Sequence, residues 1–462
     1  MNGTGTSGLG WISIFRLGLV QMALGAIVVL TTSTMNRIMV VELVLPAMLP
    51  GFLVVIHHAL QLTRPSWGHR SDVAGRRTAW IIGGMATLAA GAIVAAVSIM
   101  LMETSRGLGI AGAVCGFVLI GLGVGCAGTS LLALLAKQVS PARRPAAATI
   151  VWVMMIVGFI LTAGFAGHFL DPYSSTRLVG VTTAVSVIAL LVATVAVLGI
   201  ERQPASTGDT PVERGDVPFR EALRFVATEP RTLQFAIFIF VSMIAFSAQD
   251  LILEPFAGIV FGLTPGQSTK LSSVQNMGVL LGMIAVPVCA SLAGRIADAR
   301  VKWATSLGIW TVVGCISSVL ALALLAYSAA AGPDWPLQPT VFYLGLSNGI
   351  FAVGAIGSMM ALAGADMPGR EGLQMGVWGA AQAIAFGIGG FLGAAASDII
   401  RALTGSVVSG YGFVFAGEAV LFGISAVLAA RIYRMSPLPS RSTESSLRHL
   451  SEELLSMPAA RT

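Results

Sequence analysis

Long apolar stretches separated by short polar ones run along almost the whole chain. A helix needs about 20 residues to cross roughly 30 Å of hydrocarbon. At that window the first half contains six stretches, at 17–40, 44–63, 79–102, 108–136, 146–169 and 177–200. Six more follow a polar segment, at 232–262, 271–296, 303–328, 338–363, 372–397 and 410–433. The pattern predicts an all-α membrane protein of about twelve transmembrane helices.

The spacing of these stretches also predicts how the chain is divided. Residues 1–200 form an N-terminal six-helix half, 201–230 a cytoplasmic central loop, 231–434 a C-terminal six-helix half and 435–462 a cytoplasmic tail. Leucines recur at helical spacing in the tail, which predicts a short amphipathic helix there. They are Leu447, Leu450, Leu454 and Leu455.

Composition and charge support a membrane protein and set its orientation. Hydrophobic residues make up 55% of the chain and charged residues only 10%, and the mean hydropathy of +0.85 excludes a water-soluble surface. With both termini placed in the cytoplasm, 22 of the 27 Lys and Arg residues fall on the cytoplasmic side. That asymmetry predicts cytoplasmic termini. It also accounts for the net charge of +6 without a nucleic-acid partner.

One short motif lies between the second and third stretches. It comprises Gly68, Asp72, Gly75, Arg76 and Arg77 in the spacing GxxxDxxGRR. The equivalent loop of the second half repeats Gly294 and Asp298, with Val301 in place of the second glycine. The motif resembles the loop signature of the major facilitator transporters. This resemblance implies the major facilitator fold and a gating clamp that holds the two halves together.

Charged and amide side chains inside the apolar stretches are the candidates for function, because each charge costs about 2.5 to 3.5 kcal/mol at a membrane helix centre. The candidates are Asn36, Arg37 and Glu42 at the end of the first helix, and Gln249, Asp250 and Glu254 in the seventh stretch. Asp250 and Glu254 share a helix face and could meet one partner between the halves. The alternative is an ion pair of these acids with Arg37, or side chains that reach out to the membrane surface.

His57 and His58 lie within the second stretch. A neutral imidazole in lipid is a candidate axial ligand for the magnesium of a chlorin, and equally a hydrogen-bond partner for a neighbouring helix. No other metal site is predicted. The chain contains no HExxH, no phosphate-binding Gly-rich loop and no GxSxG, so we predict no enzymatic activity.

Three long strings carry a more specific resemblance. They are FRLGLVQMALGAIVVLTTSTMNRIMVVELVLPAMLPG, RPSWGHRSDVAGRRTAWIIGGMA and SAQDLILEPFAGIVFGLTPGQSTKLSSVQ. Together they resemble the bacteriochlorophyll delivery family of the major facilitator superfamily, which includes PucC and LhaA of purple phototrophic bacteria, and the resemblance covers residues 11–434. It implies a multi-pass protein of the bacterial inner or intracytoplasmic photosynthetic membrane.

The resemblance further implies an assembly factor that supplies bacteriochlorophyll to nascent light-harvesting antenna polypeptides. Expected partners are these polypeptides, the pigment as bound cargo, pigment-synthesis enzymes and membrane lipid. Two alternatives stay open from the residues alone. One is a secondary, ion-coupled transporter of a small molecule. The other is a membrane chaperone without a pigment site.

Overall fold

The computed structural model describes residues 9–64, 67, 77–139, 144–201, 230–295, 306–366 and 371–435. Much of the predicted gating motif lies outside these residues, namely Gly68, Asp72, Gly75, Arg76 and Asp298. The central loop after Glu201 and the tail with its predicted amphipathic helix lie outside them as well.

Twelve long helices make up the described part of the chain, as the apolar stretches predict. In the first half they are α1 Trp11–Glu42, α2 Met48–Thr63, α3 Arg77–Met102, α4 Arg106–Gln138, α5 Arg144–Phe169 and α6 Ser175–Val197. In the second half they are α7 Pro230–Phe261, α8 Pro265–Arg295, α9 Leu307–Ala331, α10 Leu337–Asp366, α11 Glu371–Thr404 and α12 Val407–Met435.

Eleven of the twelve helices are long and apolar enough to cross a membrane, while α2 is shorter within the described residues. Many outward-facing side chains are large and apolar, such as Val195 at 67% and Phe165 at 65% exposure. Such a surface suits contact with lipid, because water would not tolerate so much exposed apolar area. The protein is therefore a multi-pass membrane protein.

The buried apolar side chains form two main groups, one on each side of the central segment. The first runs from Ile14 to Ile200 and includes, from the second half, only Leu251. The second runs from Phe235 to Ile432 and contains a chain of edge-to-face rings in which Phe351 joins Phe238 to Phe422. Each six-helix group thus has its own core.

The helix bundle has two ends that differ in the residues they carry. Because an even number of helices alternates in direction, the first and last described residues lie at the same end, which we call the termini end. There Tyr433 of α12 meets Thr311 of α9, and Leu9 donates to the carbonyl of Gln138 at 3.0 Å. We call the opposite end the Glu42 end. Which end faces the cytoplasm stays a prediction.

Glycines let several helix pairs approach closely, and α3 with α4 is a clear case. A Cβ built on Gly84 would lie 2.5 Å from the backbone nitrogen of Ala127, too close for any real side chain. A Cβ on the adjacent Gly83 would meet nothing within 4 Å. The two glycines are neighbours in the same helix, but only Gly84 is in close contact with α4.

We predict that Gly84→Ala lowers the stability of the protein by about 1 to 3 kcal/mol, because α4 must move to admit the methyl group. Gly83→Ala is the matched control. It should be neutral or stabilising by up to about 1 kcal/mol, because alanine favours the helix. Thermal midpoints in mild detergent measure both. Equal effects of the two substitutions would contradict the packing described here.

Candidate functional site

Helix α7 contains a proline that leaves one helical hydrogen bond unmade, and a side chain from the other half of the molecule replaces that bond. Pro255 has no backbone N–H, so the carbonyl of Leu251 one turn earlier loses its helical hydrogen bond. The side-chain amide of Asn36 on α1 donates to this carbonyl at 2.5 Å. Because lipid offers no substitute donor, the bond satisfies a carbonyl that would otherwise be orphaned.

Glu254 lies one turn further along α7, at the junction of three helices. Its Oε1 accepts hydrogen bonds from the hydroxyls of Ser33 on α1, at 2.6 Å, and Ser272 on α8, at 2.5 Å. The side chain is only 1% exposed, and its Oε2 has no hydrogen-bond partner among the described residues. Glu254 therefore joins the two halves and keeps one acceptor oxygen free.

Arg37 is buried, at 2% exposure. It pairs with Glu42 on its own helix at 2.5 Å and donates to the carbonyl of Leu263 at 2.7 Å. Gly258 makes room for it, since a Cβ there would lie 3.1 Å from the guanidinium. The alternative of an ion pair between Arg37 and Asp250 or Glu254 is wrong, because Arg37 pairs with Glu42 instead. Its carboxylate partner is five residues away on α1.

These contacts form one unit, which we call the α1–α7 clasp. It consists of Ser33, Asn36, Arg37 and Glu42 of α1 with Leu251 and Glu254 of α7. Two π-helical turns of α1 belong to the clasp: Leu30–Thr34, which contains Ser33, and Ile38–Glu42, which contains Glu42. A π turn rotates the following side chains relative to a regular helix, and such turns are frequent at functional sites.

Further hydrogen bonds between the halves also gather toward the Glu42 end. Asp171 accepts from the hydroxyl of Thr264 at 2.8 Å and from the backbone N–H of Gly266 at 3.1 Å. The backbone N–H of Met48 donates to Asp398 at 2.8 Å. The structure therefore ties the halves together at this end.

Asp250 and Gln249 occupy two different environments on α7. Asp250 is exposed although it lies well inside the protein, so its side chain faces an opening within the bundle. The side-chain amide of Gln275 on α8 lies near it. Asp250 and Glu254 thus both face α8, where they lie beside different residues. Gln249 is fully buried, and neither end of its amide has a partner among the described residues.

Glu418 on α12 is a buried acid that the sequence analysis missed. It is 2% exposed, and neither carboxylate oxygen has a hydrogen-bond partner in the described part of the chain. The charge of Asp250 acts on it directly. A lone acid within the apolar stretch 410–433 barely changes the mean hydropathy, so the pattern that located the helix also concealed the residue.

His57 lies apart from the clasp, within the first half. Its ring is 2% exposed, its Nε2 lies 2.9 Å from the amide nitrogen of Gln61, and its Nδ1 has no partner among the described residues. The ring of His58 stands edge-on to it at 4.8 Å. His58 in turn contacts Phe386 of α11 at 5.8 Å, where α2 meets the second half.

Few groups within the described residues suit a metal ion. No cluster of three or more His, Cys, Asp or Glu side chains is found there. A magnesium ion that is already held by a macrocycle needs only one further, axial ligand. Acceptors with unused capacity include Nδ1 of His57, Oε2 of Glu254, both carboxylate oxygens of Glu418 and the exposed carboxylate of Asp250.

Arg77 is the member of the gating motif that the structure describes in full, and Gly294 lies near the end of α8. The Arg77 guanidinium donates to the carbonyl of Ala133 on α4 at 2.7 Å. Its backbone N–H and that of Thr78 donate to the Glu201 carboxylate at 2.8 and 2.9 Å. Partial burial opposes ionisation of Glu201, but these hydrogen bonds outweigh it and leave its pKa below the usual value.

Most of the chain matches a known protein family. The family described as PUCC protein matches residues 34–436, which include almost the whole clasp. This chain belongs to the PUCC protein family. One relative, the "Bacteriochlorophyll synthase 44.5 kDa chain" of Rhodobacter capsulatus, is 51% identical over 427 residues, covering 92% of this chain and 96% of that one. "Protein PucC" of the same species is 28% identical over 440 residues, covering 91% and 92%.

Solved structures show the fold of this PUCC family member. The nucleoside transporter NupG aligns with a TM-score of 0.68 at 14% identity, covering 91% of this chain and 99% of that one. A peptide transporter POT in complex with sulfate aligns with a TM-score of 0.63 at 15% identity, covering 92% and 97%. The predicted major facilitator fold is confirmed.

We predict that Asn36→Ala destabilises the protein by about 1 to 3 kcal/mol, because it leaves the Leu251 carbonyl buried without a partner. In a Pro255→Ala background the loss should be much smaller, because the alanine N–H restores a helical donor to that carbonyl. A double-mutant cycle on thermal midpoints measures the coupling. An equal loss in both backgrounds would show that Asn36 acts in some other way.

Glu201 lies outside the membrane-spanning segments, and its contacts predict a pH-dependent contribution to stability. Because its pKa is lower in the folded state, its carboxylate contributes stability that is present above the unfolded value of about 4.3 and is lost as pH falls through the folded value. Glu201→Gln should therefore lower the thermal midpoint at neutral pH. The difference from wild type should shrink below about pH 4. A difference that does not change with pH would contradict this assignment.

Proposed function

We propose that this protein assembles bacterial light-harvesting complexes by binding bacteriochlorophyll in the membrane and delivering it to nascent antenna polypeptides. The observation that carries the proposal is the 51% identity, over nearly the whole of both chains, to a protein named as a bacteriochlorophyll synthase chain. Membership of the PUCC family supports a role in photosynthetic pigment or complex formation.

The proposed role is delivery and not synthesis. A transporter fold is built to hold a cargo between two halves and to change how those halves meet. The polar groups of the described interior lie between helices, and no metal-binding cluster accompanies them there. We infer that the protein accompanies pigment-synthesis enzymes as a non-catalytic partner, which is compatible with the relative's name as one chain of a synthase.

The chemistry of the pigment fits a site reached from within the bilayer. Bacteriochlorophyll is a flat apolar macrocycle with a long hydrocarbon tail, so it stays in lipid and would enter between helices. Helices α2 and α11 meet across the halves beside His58 and Phe386, where a Cβ on Gly387 would come within 3.2 Å of His58. Phe386 continues this aromatic surface to Phe246 on α7 at 5.7 Å.

Three side chains are the proposed ligands for the pigment. His57 and Asp250 each offer a group suited to the axial position of magnesium, and Glu254 offers its free Oε2. The protein would hold the cargo through one such contact and through apolar surface around the ring. In this proposal the protein lies in the inner or intracytoplasmic photosynthetic membrane, with its termini in the cytoplasm beside the synthesis enzymes and its antenna clients in the bilayer.

A second candidate function is ion-coupled transport of a small molecule. The observation in its favour is Asp250, an acid exposed to an opening inside a transporter-type bundle. A pigment-free chaperone of antenna helices is the third candidate. The three functions differ in what the purified protein carries, so one spectroscopic experiment separates them.

We predict that the protein, purified in mild detergent from a phototrophic host, carries stoichiometric bacteriochlorophyll in its absorption spectrum. His57→Phe, Asp250→Asn and Glu254→Gln, made singly, should show which side chain binds the pigment by a loss of about tenfold or more in pigment content. That corresponds to about 1.4 kcal/mol of binding free energy or more. His168→Ala, which alters an exposed histidine at the end of α5, is the matched control.

The outcomes discriminate between the three functions. Pigment lost in one variant and kept in the control supports delivery and identifies the ligand. A colourless wild-type protein that still binds antenna polypeptides would replace delivery with the chaperone function. A colourless protein that binds no antenna polypeptide and moves a small solute into proteoliposomes would support the transporter.

A further inference from the structure

Helices α7 and α12 bring two acids together inside the second half. Edge-to-face contacts of Phe256 with Tyr411 and Phe415, at 5.6 and 5.0 Å, fix how the antiparallel helices align. Counting back along α7 and forward along α12 from these rings places Glu418 level with the turn that carries Gln249 and Asp250. The charge of Asp250 accordingly acts on Glu418.

We propose that Asp250 and Glu418 form a proton-binding site in the second half, in which the two carboxyl groups hold one proton between them. The proposal goes beyond pigment delivery and does not depend on it. The site would exist whether the cargo is a pigment or a small solute.

The environment of Glu418 supports this proposal. Both of its oxygens are buried and lack a hydrogen-bond donor among the described residues. An ionised carboxylate without donors or a counter-ion is very costly in such surroundings, whereas a protonated one is tolerable. Two carboxylates close together in a medium of low polarity cannot both stay ionised.

The surrounding charges do not neutralise the pair. Within the described residues neither acid forms an ion pair. The buried cation of the clasp, Arg37, is already paired with Glu42. The charges of Arg401 and Asp398 lie close to Tyr411 instead, which is nearer the Glu42 end. The other titratable and charged groups whose side chains the structure describes on α7, α12 and the helices packed against them are Arg16, Arg37, Glu42, Glu254, Lys270, Cys289, Cys315, Tyr327, Asp398, Arg401, Tyr411, Arg431 and Tyr433.

The two acids have different roles in the proposed site. Asp250 is exposed to the opening in the bundle and lies near the Gln275 amide, so it is the point where a proton enters and leaves. Glu418 lies behind it, closed off from solvent, and retains the proton. The unpartnered amide of Gln249, on the same turn of α7, is an additional group that a rearrangement could bring to either acid.

Infrared difference spectroscopy of the full-length protein in lipid nanodiscs tests the proposal, because a protonated carboxyl has its own carbonyl band. We expect wild type to show this band at neutral pH in sodium-free buffer. Glu418→Gln should abolish it, and Asp250→Asn should keep it but change the pH at which it is lost. Glu103→Gln is the control, since that acid accepts a hydrogen bond from Ser175 in the other half, and it should leave the band unchanged.

A second measurement avoids the question of whether the variants fold. An apolar carbodiimide reacts with protonated carboxyl groups inside membranes, so peptide mass spectrometry of labelled wild-type protein should find the label on Glu418 or Asp250. The proposal is overturned if wild type has no such band and no such label at neutral pH. It is also overturned if added sodium removes both, which would make the site a cation site.

Discussion

The backbone carbonyl of Leu251 is the group on which the junction of the two halves depends. Pro255 removes its helical partner, and the hydrocarbon of the membrane offers no other donor, so the fold must supply one. Asn36 supplies it from the opposite half. The bond is thus both the repair of a local defect in α7 and a contact that fixes α1 against α7. Ser33, Arg37 and Glu254 extend that contact along the same pair of helices.

Several of the few charged side chains inside the bundle lie at this junction. Arg37 is neutralised by Glu42, Glu254 receives two hydroxyl donors, and both lie where the halves meet. Asp250 is one turn earlier on the same face of α7, beyond the clasp, and faces an opening in the bundle. A change in the way the halves meet must therefore rebuild contacts directly beside Asp250. In a transporter fold this is the place where cargo binding and the movement of the halves can influence each other.

The sequence predicted the fold well because membrane crossing imposes a length and an apolarity that can be counted along the chain. All twelve predicted stretches correspond to helices, although α1 begins at Trp11 and α11 continues to Thr404, beyond the predicted limits. The site was predicted only in part. Asn36, Arg37 and Glu254 were recognisable as costly polar residues, but their partners depend on long-range packing. Ser33, Ser272 and Gln275 have no feature in the sequence that marks them as partners. Glu418 was missed because a single acid barely changes the hydropathy averaged over a helix-length window. The π turns of α1 have no sequence signal that we recognise.

The proposed delivery of bacteriochlorophyll to antenna polypeptides by this PUCC family member can be tested directly. The most direct measurement is a transfer assay in nanodiscs, in which pigment-loaded protein is mixed with pigment-free antenna polypeptides. Assembly is followed by the near-infrared shift of the pigment as it enters the antenna complex. If the protein delivers pigment, pigment leaves it and appears in assembled antenna faster than it does from lipid alone. If pigment reaches the antenna equally fast without the protein, the proposed delivery is wrong.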